Sequence, residues 1–137
     1  DLEKAIEYID TLQPTSIVIL NALGGRADHT LFNLRLLRRC ANPRRALVAI
    51  NADEQLFYCR DQVCELSGSV GSPVSILGFP AAKVTSTGLT YPMSDYAIGF
   101  DGNESVSNTL AATKATVTIQ GEALFIMAQE VQYDFVS

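Results

Sequence analysis

Two unbroken apolar runs, at residues 17–20 and 46–50, constrain the fold of this chain more than any other feature. Continuous runs of this kind are typical of strands that are buried on both faces, as in a parallel sheet. The segment between them has the apolar spacing of a helix over residues 28–40. Because two parallel strands need a crossover, the pattern predicts a βαβ unit whose first strand covers residues 16–22.

A shorter helical pattern precedes this unit. Apolar residues recur at helical spacing over residues 2–12, Asp1 stands at the N-cap position, and Pro14 stops the helix. The chain starts without Met and already at a helix boundary. We therefore expect either a piece of a longer protein or a numbering that begins after an omitted segment.

The pattern changes after residue 51. Short apolar runs alternate with turn residues, which favours antiparallel strands, at residues 55–60, 62–67, 74–78 and 81–86. Residues 115–120 alternate most cleanly and are predicted to pair with residues 123–128 across a tight turn. The predicted fold is an α/β remnant with parallel strands over residues 1–51, followed by an antiparallel β-sandwich over residues 52–137.

Charge and composition exclude several classes of protein. The net charge is −5, and residues 51–137 hold ten Asp and Glu against three Lys and Arg. An acidic chain of this kind disfavours binding to nucleic acid. No apolar run is long enough to cross a bilayer, so no membrane association is predicted. The three cysteines have neither C-x-x-C spacing nor histidine partners, which is typical of free thiols in a reducing compartment such as the cytoplasm.

A glycine pair lies between the first predicted strand and the crossover helix. Gly24 and Gly25 allow a ligand to approach the backbone, and the helix N-terminus offers unpaired N–H groups that suit phosphate. Arg26 can bind phosphate oxygens in a bidentate way, and Asp28 can hold a metal ion or accept a proton. Each residue also has a structural interpretation, as a tight turn, a solvated charge or a helix N-cap. Their combination at the carboxyl end of a buried strand favours a ligand site.

Three short motifs resemble those of thiamine pyrophosphokinases. Residues 24–29 read G-G-R-A-D-H, similar to the family's G-G-R-x-D-H signature. Residues 87–91 read T-G-L-T-Y and resemble the T-G-L-x-[WY] segment, and residues 105–108 read S-V-S-N and resemble the S-x-S-N segment. The motifs occur in the family's order and span essentially the whole chain, but the amino-terminal half of a family member is missing.

The resemblance implies a parallel α/β domain joined to a β-sandwich, in a cytoplasmic homodimer that uses Mg²⁺. Its reaction would transfer pyrophosphate from ATP to the hydroxyl of thiamine, giving thiamine diphosphate and AMP. Asp28 and Arg26 would be catalytic, with Asp28 binding Mg²⁺ or orienting the hydroxyl and Arg26 binding phosphate beside Gly24 and Gly25. Asp1 stands where the family carries a T-D pair and would be a second metal-binding carboxylate.

The same resemblance implies a thiamine site in the second half of the chain. Tyr91 occupies the family's aromatic position, and its ring could face the cationic thiazolium, an attraction of ~0.5–2 kcal/mol. Its structural alternative is a tyrosine at the edge of the sandwich. Groups for the aminopyrimidine would come from Ser86, Thr87, Ser107 and Asn108, whose structural alternative is turn and strand-end chemistry. His29, by contrast, is expected to brace the glycine turn.

Two upstream segments with which the family helps to bind nucleotide and metal do not occur in these 137 residues. Three hypotheses therefore stay open. The parent protein is the kinase, or the chain is a non-catalytic thiamine-binding or dimerisation module, or it is a degenerate paralogue that lacks the nucleotide site.

Overall fold

The computed structural model describes residues 1–136, and the chain divides between Tyr58 and Cys59 into two units. Neither helix of the described residues is long and apolar enough to cross a membrane. The first unit contains α1 (Leu2–Asp10), β1 (Ser16–Leu20), α2 (Ala27–Arg39) and β2 (Ala46–Asn51), and the chain passes into the second unit within β3 (Glu54–Arg60). The second unit continues with β4 (Val63–Ser67), β5 (Pro73–Thr87), β6 (Tyr96–Gly99), β7 (Ser105–Thr109), β8 (Lys114–Ala128) and β9 (Gln132–Val136).

The predicted βαβ unit is confirmed. β1 and β2 pair in parallel, from Ser16 opposite Ala46 to Leu20 opposite Ile50, and α2 connects them in sequence. β2 then returns through a short turn into β3, which pairs with it antiparallel. Because β1 and β2 are parallel, their carboxyl ends lie at the same edge, where α2 begins.

β1 is buried on one face, whereas the sequence predicts burial on both. Ile17 and Ile19 are buried, but Val18 is 50% and Leu20 68% exposed. Within residues 1–136, no element covers the face that carries these two side chains. The strand therefore has the composition of a parallel strand covered on both sides and the exposure of one covered on a single side. It also ends before the predicted end at residue 22.

Helix α1 is capped as predicted. The Asp1 side chain accepts hydrogen bonds from the backbone N–H groups of residues 3 and 4, at 3.0 and 3.3 Å. At the other end, Asp10 forms a bidentate ion pair of 2.5 and 2.7 Å with the buried guanidinium of Arg45, which also donates to the Cys40 carbonyl. The hydrogen bond from Arg45 lowers the pKa of Asp10. The pair ties the end of α1 to the residue that precedes β2.

Two long strands, β5 and β8, organise the second unit by pairing antiparallel along most of their length. The sequence predicts a tight turn within the β8 segment and a break within the β5 segment, and both predictions are wrong. β8 continues through Gly121 (φ +105°), and β5 continues through the cis peptide bond between Phe79 and Pro80. The register of the pair shifts between Gly78 and Ala82, so residues that signal turns mark a β-bulge instead.

The other strands complete a mostly antiparallel, curled sheet, and the predicted fold class is confirmed. β4 lies between β8 and β9, and both β6 and β7 pair with β5. The bend of the two long strands lets apolar side chains from different strands share one core. Its almost completely buried members include Leu66, Val74, Ile76, Val84, Leu110, Val117, Ile119, Phe125 and Met127.

The three cysteines are free thiols, as the sequence predicts. Cys59 and Cys64 are both buried, and desolvation raises the pKa of Cys59 to about 12 and also raises the pKa of Cys64. Both thiols are therefore protonated at neutral pH, where the thiolate would be the reactive form. The cytoplasmic location that free thiols favour stays a prediction.

Gly121, which lies opposite the bulge of β5, allows a direct test of the corrected strand. A Cβ at this position would lie 2.7 Å from the Ala81 carbonyl oxygen and 3.0 Å from the Ala82 Cα. Gly71 is a matched control, because it also has a positive φ (+93°) but a Cβ there would meet no atom within 4 Å. We expect Gly121→Ala to lower the free energy of unfolding by ~2–4 kcal/mol, and Gly71→Ala by ~1 kcal/mol, in urea denaturation. Equal losses for the two variants would contradict the close approach at the bulge.

Candidate functional site

The glycine pair forms an open turn between β1 and α2. Gly24 (φ +100°) and Gly25 (φ +71°) adopt conformations that favour glycine, and a Cβ at either position would meet no atom within 4 Å. Thr30 Oγ1 accepts a hydrogen bond from the Gly24 N–H (3.1 Å) and lies 3.2 Å from the Gly24 carbonyl, to which it donates. Asn33 Nδ2 donates to the Ala22 carbonyl at 2.6 Å. Helix side chains thus hold the turn while its backbone stays open to a ligand.

Arg26 and Asp28 form an ion pair at the start of α2. The helix begins at Ala27 with Arg26 in the N-cap position, so the N-cap alternative for Asp28 is wrong. Asp28 Oδ2 instead accepts from Arg26 Nη2 at 2.7 Å, and Oδ1 accepts from the His29 N–H at 2.9 Å. The hydrogen bond from Arg26 holds the pKa of Asp28 below its ordinary value, so the carboxylate is ionised at neutral pH. Because the two side chains are 74% and 61% exposed, the pair is weak and can open to a ligand.

His29 and Asp1 are the other two residues of the first unit with predicted roles. The side chain that braces the glycine turn is Thr30 rather than the expected His29. Asp1 uses Oδ1 to cap α1, which is its structural alternative. Within residues 1–136, no group of three or more His, Cys, Asp and Glu side chains could hold a metal ion. The described residues therefore offer single carboxylates rather than a complete metal site.

A cleft of about 310 Å³ opens in the second unit. Tyr91 and Tyr96 contribute aromatic rings to it, and Tyr91 is 68% exposed. Glu104, Val106 and Asn108 line it from β7 and the residue before it. The register of β7 against β5 shifts between Ser105 and Asn108, where Ser107 has a φ of +62°. The remaining lining residues are Pro92, Met93 and Ser105.

Asn108 holds the wall of this cleft. It is 1% exposed, and its Oδ1 accepts from the N–H groups of Tyr91 (3.0 Å) and Thr109 (2.9 Å). Its Nδ2 donates to the Tyr91 carbonyl (2.9 Å) and to Ser105 Oγ (3.1 Å). Both acceptor sites and both N–H donors of the amide are thereby used. Asn108 thus fixes the backbone of Tyr91 and keeps no hydrogen-bonding capacity for the aminopyrimidine contact that the motif implies.

The remaining predicted thiamine residues lie around the cleft rather than in it. Ser86 is buried, and its Oγ accepts from the Met93 N–H at 3.0 Å while its own N–H donates to the Met93 carbonyl at 2.9 Å. Thr87 and Ser107 are exposed and do not line the cleft. Ser107 has a φ of +62°, and its N–H donates to Ser75 Oγ. Ser86 therefore supports the lining segment, and Thr87 and Ser107 stand outside it.

Four lining residues lie outside the sequence motifs: Pro92, Met93, Tyr96 and Glu104. Glu104 lies just before the S-V-S-N segment, and no simple alternation places it beside Asn108, because the register of β7 shifts between Ser105 and Asn108. Tyr96 begins the short strand β6, for which the sequence shows no periodicity. Only the pairing of β6 with β5 brings this ring to the cleft.

Comparison with known proteins connects both sites to one family. Residues 1–49 match the family model of the thiamin pyrophosphokinase catalytic domain, and residues 63–124 match that of the thiamin pyrophosphokinase vitamin B1 binding domain. The chain belongs to the thiamin pyrophosphokinase family. The turn with Arg26 and Asp28 lies in the first match, and the cleft with Tyr91 lies in the second.

Curated relatives carry the same family name. Thiamine pyrophosphokinase 1 of Arabidopsis thaliana is 34% identical over 138 residues, which cover 93% of this chain and 52% of the relative. Thiamine pyrophosphokinase 1 of Oryza sativa subsp. japonica is 26% identical over 140 residues, with the same two coverages. The chain spans about half the length of the curated relatives it matches.

Solved structures show the same fold. Thiamine pyrophosphokinase from Bacillus subtilis superposes with a TM-score of 0.84 at 24% identity, covering 93% of this chain and 62% of that one. Thiamin pyrophosphokinase from Candida albicans gives a TM-score of 0.74 at 21% identity, over 82% of this chain and 43% of that one. The parallel strands and the curled antiparallel sheet therefore recur in structures with little sequence in common.

The hydrogen bonds of Asn108 predict a stability effect that a ligand contact alone would not produce. Asn108→Ala leaves the N–H and carbonyl of Tyr91 without their buried partners, so we expect the free energy of unfolding to fall by ~2–4 kcal/mol. Ser107→Ala, at the exposed neighbouring position, should change it by no more than ~0.5 kcal/mol. Thermal and urea denaturation of the two variants measure the difference. If Asn108→Ala were as stable as the unaltered chain, the role of Asn108 in holding the Tyr91 backbone would be excluded.

Proposed function

We propose that this chain is part of a thiamine pyrophosphokinase, which transfers the pyrophosphoryl group of ATP to the hydroxyl of thiamine. The products would be thiamine diphosphate and AMP. The observation that carries the proposal is that each of the two sites has the chemistry expected of the family domain in which it lies. An exposed Arg26–Asp28 pair at an open glycine turn lies in the catalytic-domain match, and an aromatic cleft lies in the vitamin B1 match. These supply charge for phosphate and a ring face for an organic cation.

The reaction joins the hydroxyl oxygen of thiamine to the β-phosphorus of ATP. The bond from that phosphorus to the oxygen shared with the α-phosphorus breaks, AMP leaves with this oxygen, and the hydroxyl loses its proton. Such transfers depend on positioning and charge neutralisation rather than on a covalent enzyme intermediate. In this chain Arg26 would bind phosphate oxygens and Asp28 would orient the hydroxyl or hold the metal, while Gly24 and Gly25 leave the backbone open to phosphate.

Asp28 is our proposed Mg²⁺ ligand. Mg²⁺ at phosphoryl-transfer sites uses one or two protein carboxylates, and water and substrate phosphates complete its coordination. The exposed carboxylate of Asp28 fits one such ligand. Asp1 fits less well, because one of its oxygens already caps α1. When bound, the ion would neutralise phosphate charge.

Tyr91 is our proposed contact for thiamine. Its ring is largely exposed in the cleft, while its backbone is held by Asn108 and the following segment is held by Ser86. An exposed ring on a fixed backbone suits the face of a cationic ring. Ser86 and Asn108 would then act by positioning, and direct contacts from Thr87 and Ser107 stay predictions.

A non-catalytic thiamine-binding module is the second candidate. The observation that favours it is that all the lining residues of the cleft lie within the second unit, between residues 91 and 108. Binding of thiamine would then need no residue of the glycine turn. Product formation separates the two candidates, since only the kinase converts ATP to AMP in the presence of thiamine.

Asp28→Asn tests the kinase at its proposed centre. In the natural protein that contains this chain, supplied with thiamine, ATP and Mg²⁺, the substitution should lower the rate of AMP formation by ~100-fold or more. The melting temperature should stay the same, because the ion pair is exposed and Asp28 is not the N-cap. Asp53→Asn, in the turn between β2 and β3, is the control and should change neither quantity. Near-normal activity of Asp28→Asn would remove this carboxylate from the mechanism, and thiamine binding without AMP from the unaltered protein would favour the binding module.

A homodimer is the assembly that the resemblance implies, and we propose it for this protein. A dimer with two-fold symmetry is also the commonest closed assembly of identical chains. Light scattering at micromolar protein concentration should give twice the mass of one chain. The mass of a single chain at that concentration would contradict the proposal.

A further inference from the structure

Glu104, directly before β7, is the one charged side chain among the described residues that line the cleft. Its Oε2 accepts a hydrogen bond from the Gly78 N–H at 3.0 Å. Among the described residues, no Lys or Arg forms a salt bridge with this negative charge of the cleft.

The hydrogen bond to Gly78 fixes this carboxylate in the wall. Gly78 belongs to β5, and a Cβ there would lie 2.6 Å from the Gly99 Cα of β6, so the two backbones are in direct contact. The donor of the hydrogen bond is thus part of a rigid sheet. One carboxylate oxygen is anchored and the other is left for a partner, so a ligand would bind with little further loss of side-chain entropy.

The neighbours of Glu104 select the chemistry of that partner. Tyr91 and Tyr96 line the same cleft, and aromatic rings attract organic cations through their faces. The amide of Asn108 has no free donor or acceptor, so it adds no hydrogen-bonding requirement. Rings and a single carboxylate together suit a delocalised organic cation. The thiazolium ring of thiamine is a cation of this kind.

We propose that Glu104 recognises the positive charge of the thiazolium ring and gives the cleft its preference for a charged over a neutral ring. Tyr91 would supply the ring face and Glu104 the charge. The inference rests on the proposed binding of thiamine and adds a specificity residue that lies outside the three motifs.

Calorimetric titration of the chain with two ligands tests this role. One ligand is thiamine, and the other is its analogue in which a neutral thiophene replaces the thiazolium. Glu104→Gln keeps an oxygen that can accept from the Gly78 N–H but removes the charge. We expect this variant to bind thiamine about tenfold more weakly and to bind the analogue within about twofold of the unaltered chain. Glu65→Gln, an exposed carboxylate of β4 outside the cleft, is the matched control and should change neither affinity.

The outcomes separate the inference from the function on which it rests. Unchanged thiamine affinity in Glu104→Gln, or an equal loss for both ligands, would overturn the role of charge while leaving thiamine binding intact. If the unaltered chain bound neither ligand, the thiamine-binding proposal would fail and this inference with it. Tyr91→Leu should weaken thiamine binding and Tyr91→Phe should preserve it, which tests the ring face independently of Glu104.

Salt provides a second measurement that needs no substitution. If Glu104 attracts the thiazolium charge, raising the ionic strength should weaken binding of thiamine more than binding of the neutral analogue. The same salt response for both ligands would contradict the charge role, even where Glu104→Gln proved unstable.

Discussion

The second unit depends on backbone contacts that are too close for any side chain. A Cβ at Gly78 would lie 2.6 Å from the Gly99 Cα, and a Cβ at Gly88 would lie 2.4 Å from the Lys114 carbonyl oxygen. Because glycine has no Cβ, β5 can lie against β6 and still pair with β8 through the bulge. These contacts also hold part of the cleft, because the N–H of Gly78 donates a hydrogen bond to the Glu104 carboxylate that lines it.

The two sites solve different physical problems. The Arg26–Asp28 pair lies in water, where a charged ligand can replace either partner at little cost. The phosphate that we propose for this site would bring its own charge and would need exchangeable ions on a defined turn. The attraction between an aromatic face and a cation acts only at short range, so the ring must be held in position before the ligand binds. The buried amide of Asn108 does this for Tyr91.

Local patterns were enough to predict the order of helices and strands in the first unit. The two apolar runs and the helical spacing between them define the βαβ unit. The N-cap of α1 at Asp1 was also predictable, because N-capping depends only on the next few residues. The exposure of Val18 could not be predicted, because a strand's composition does not say which of its faces is covered. The place of Asp28 within the first turn of α2 also depended on where the helix began.

Features of the second unit that depend on contacts between residues far apart in sequence could not be predicted from local patterns. A glycine is compatible with a turn or with a continuous strand, and only the pairing with β5 shows that β8 continues through Gly121, opposite a bulge in β5. Two of the three motifs pointed to the region of the cleft, but they did not distinguish ligand contacts from supporting residues. Asn108 matches a motif and is committed to Tyr91, whereas Glu104 lies just outside that motif and lines the cleft. Hydrogen-bond partners far apart in sequence made that distinction.

The amide of Asn108 has a consequence for the temperature range over which the cleft can work. Because it orders the segment around Tyr91 during folding, the entropy of that ordering is lost before any ligand arrives. The same arrangement makes the segment a candidate for local opening on warming, with only a few hydrogen bonds to break. A ligand that binds only the ordered segment would raise the temperature at which the segment opens.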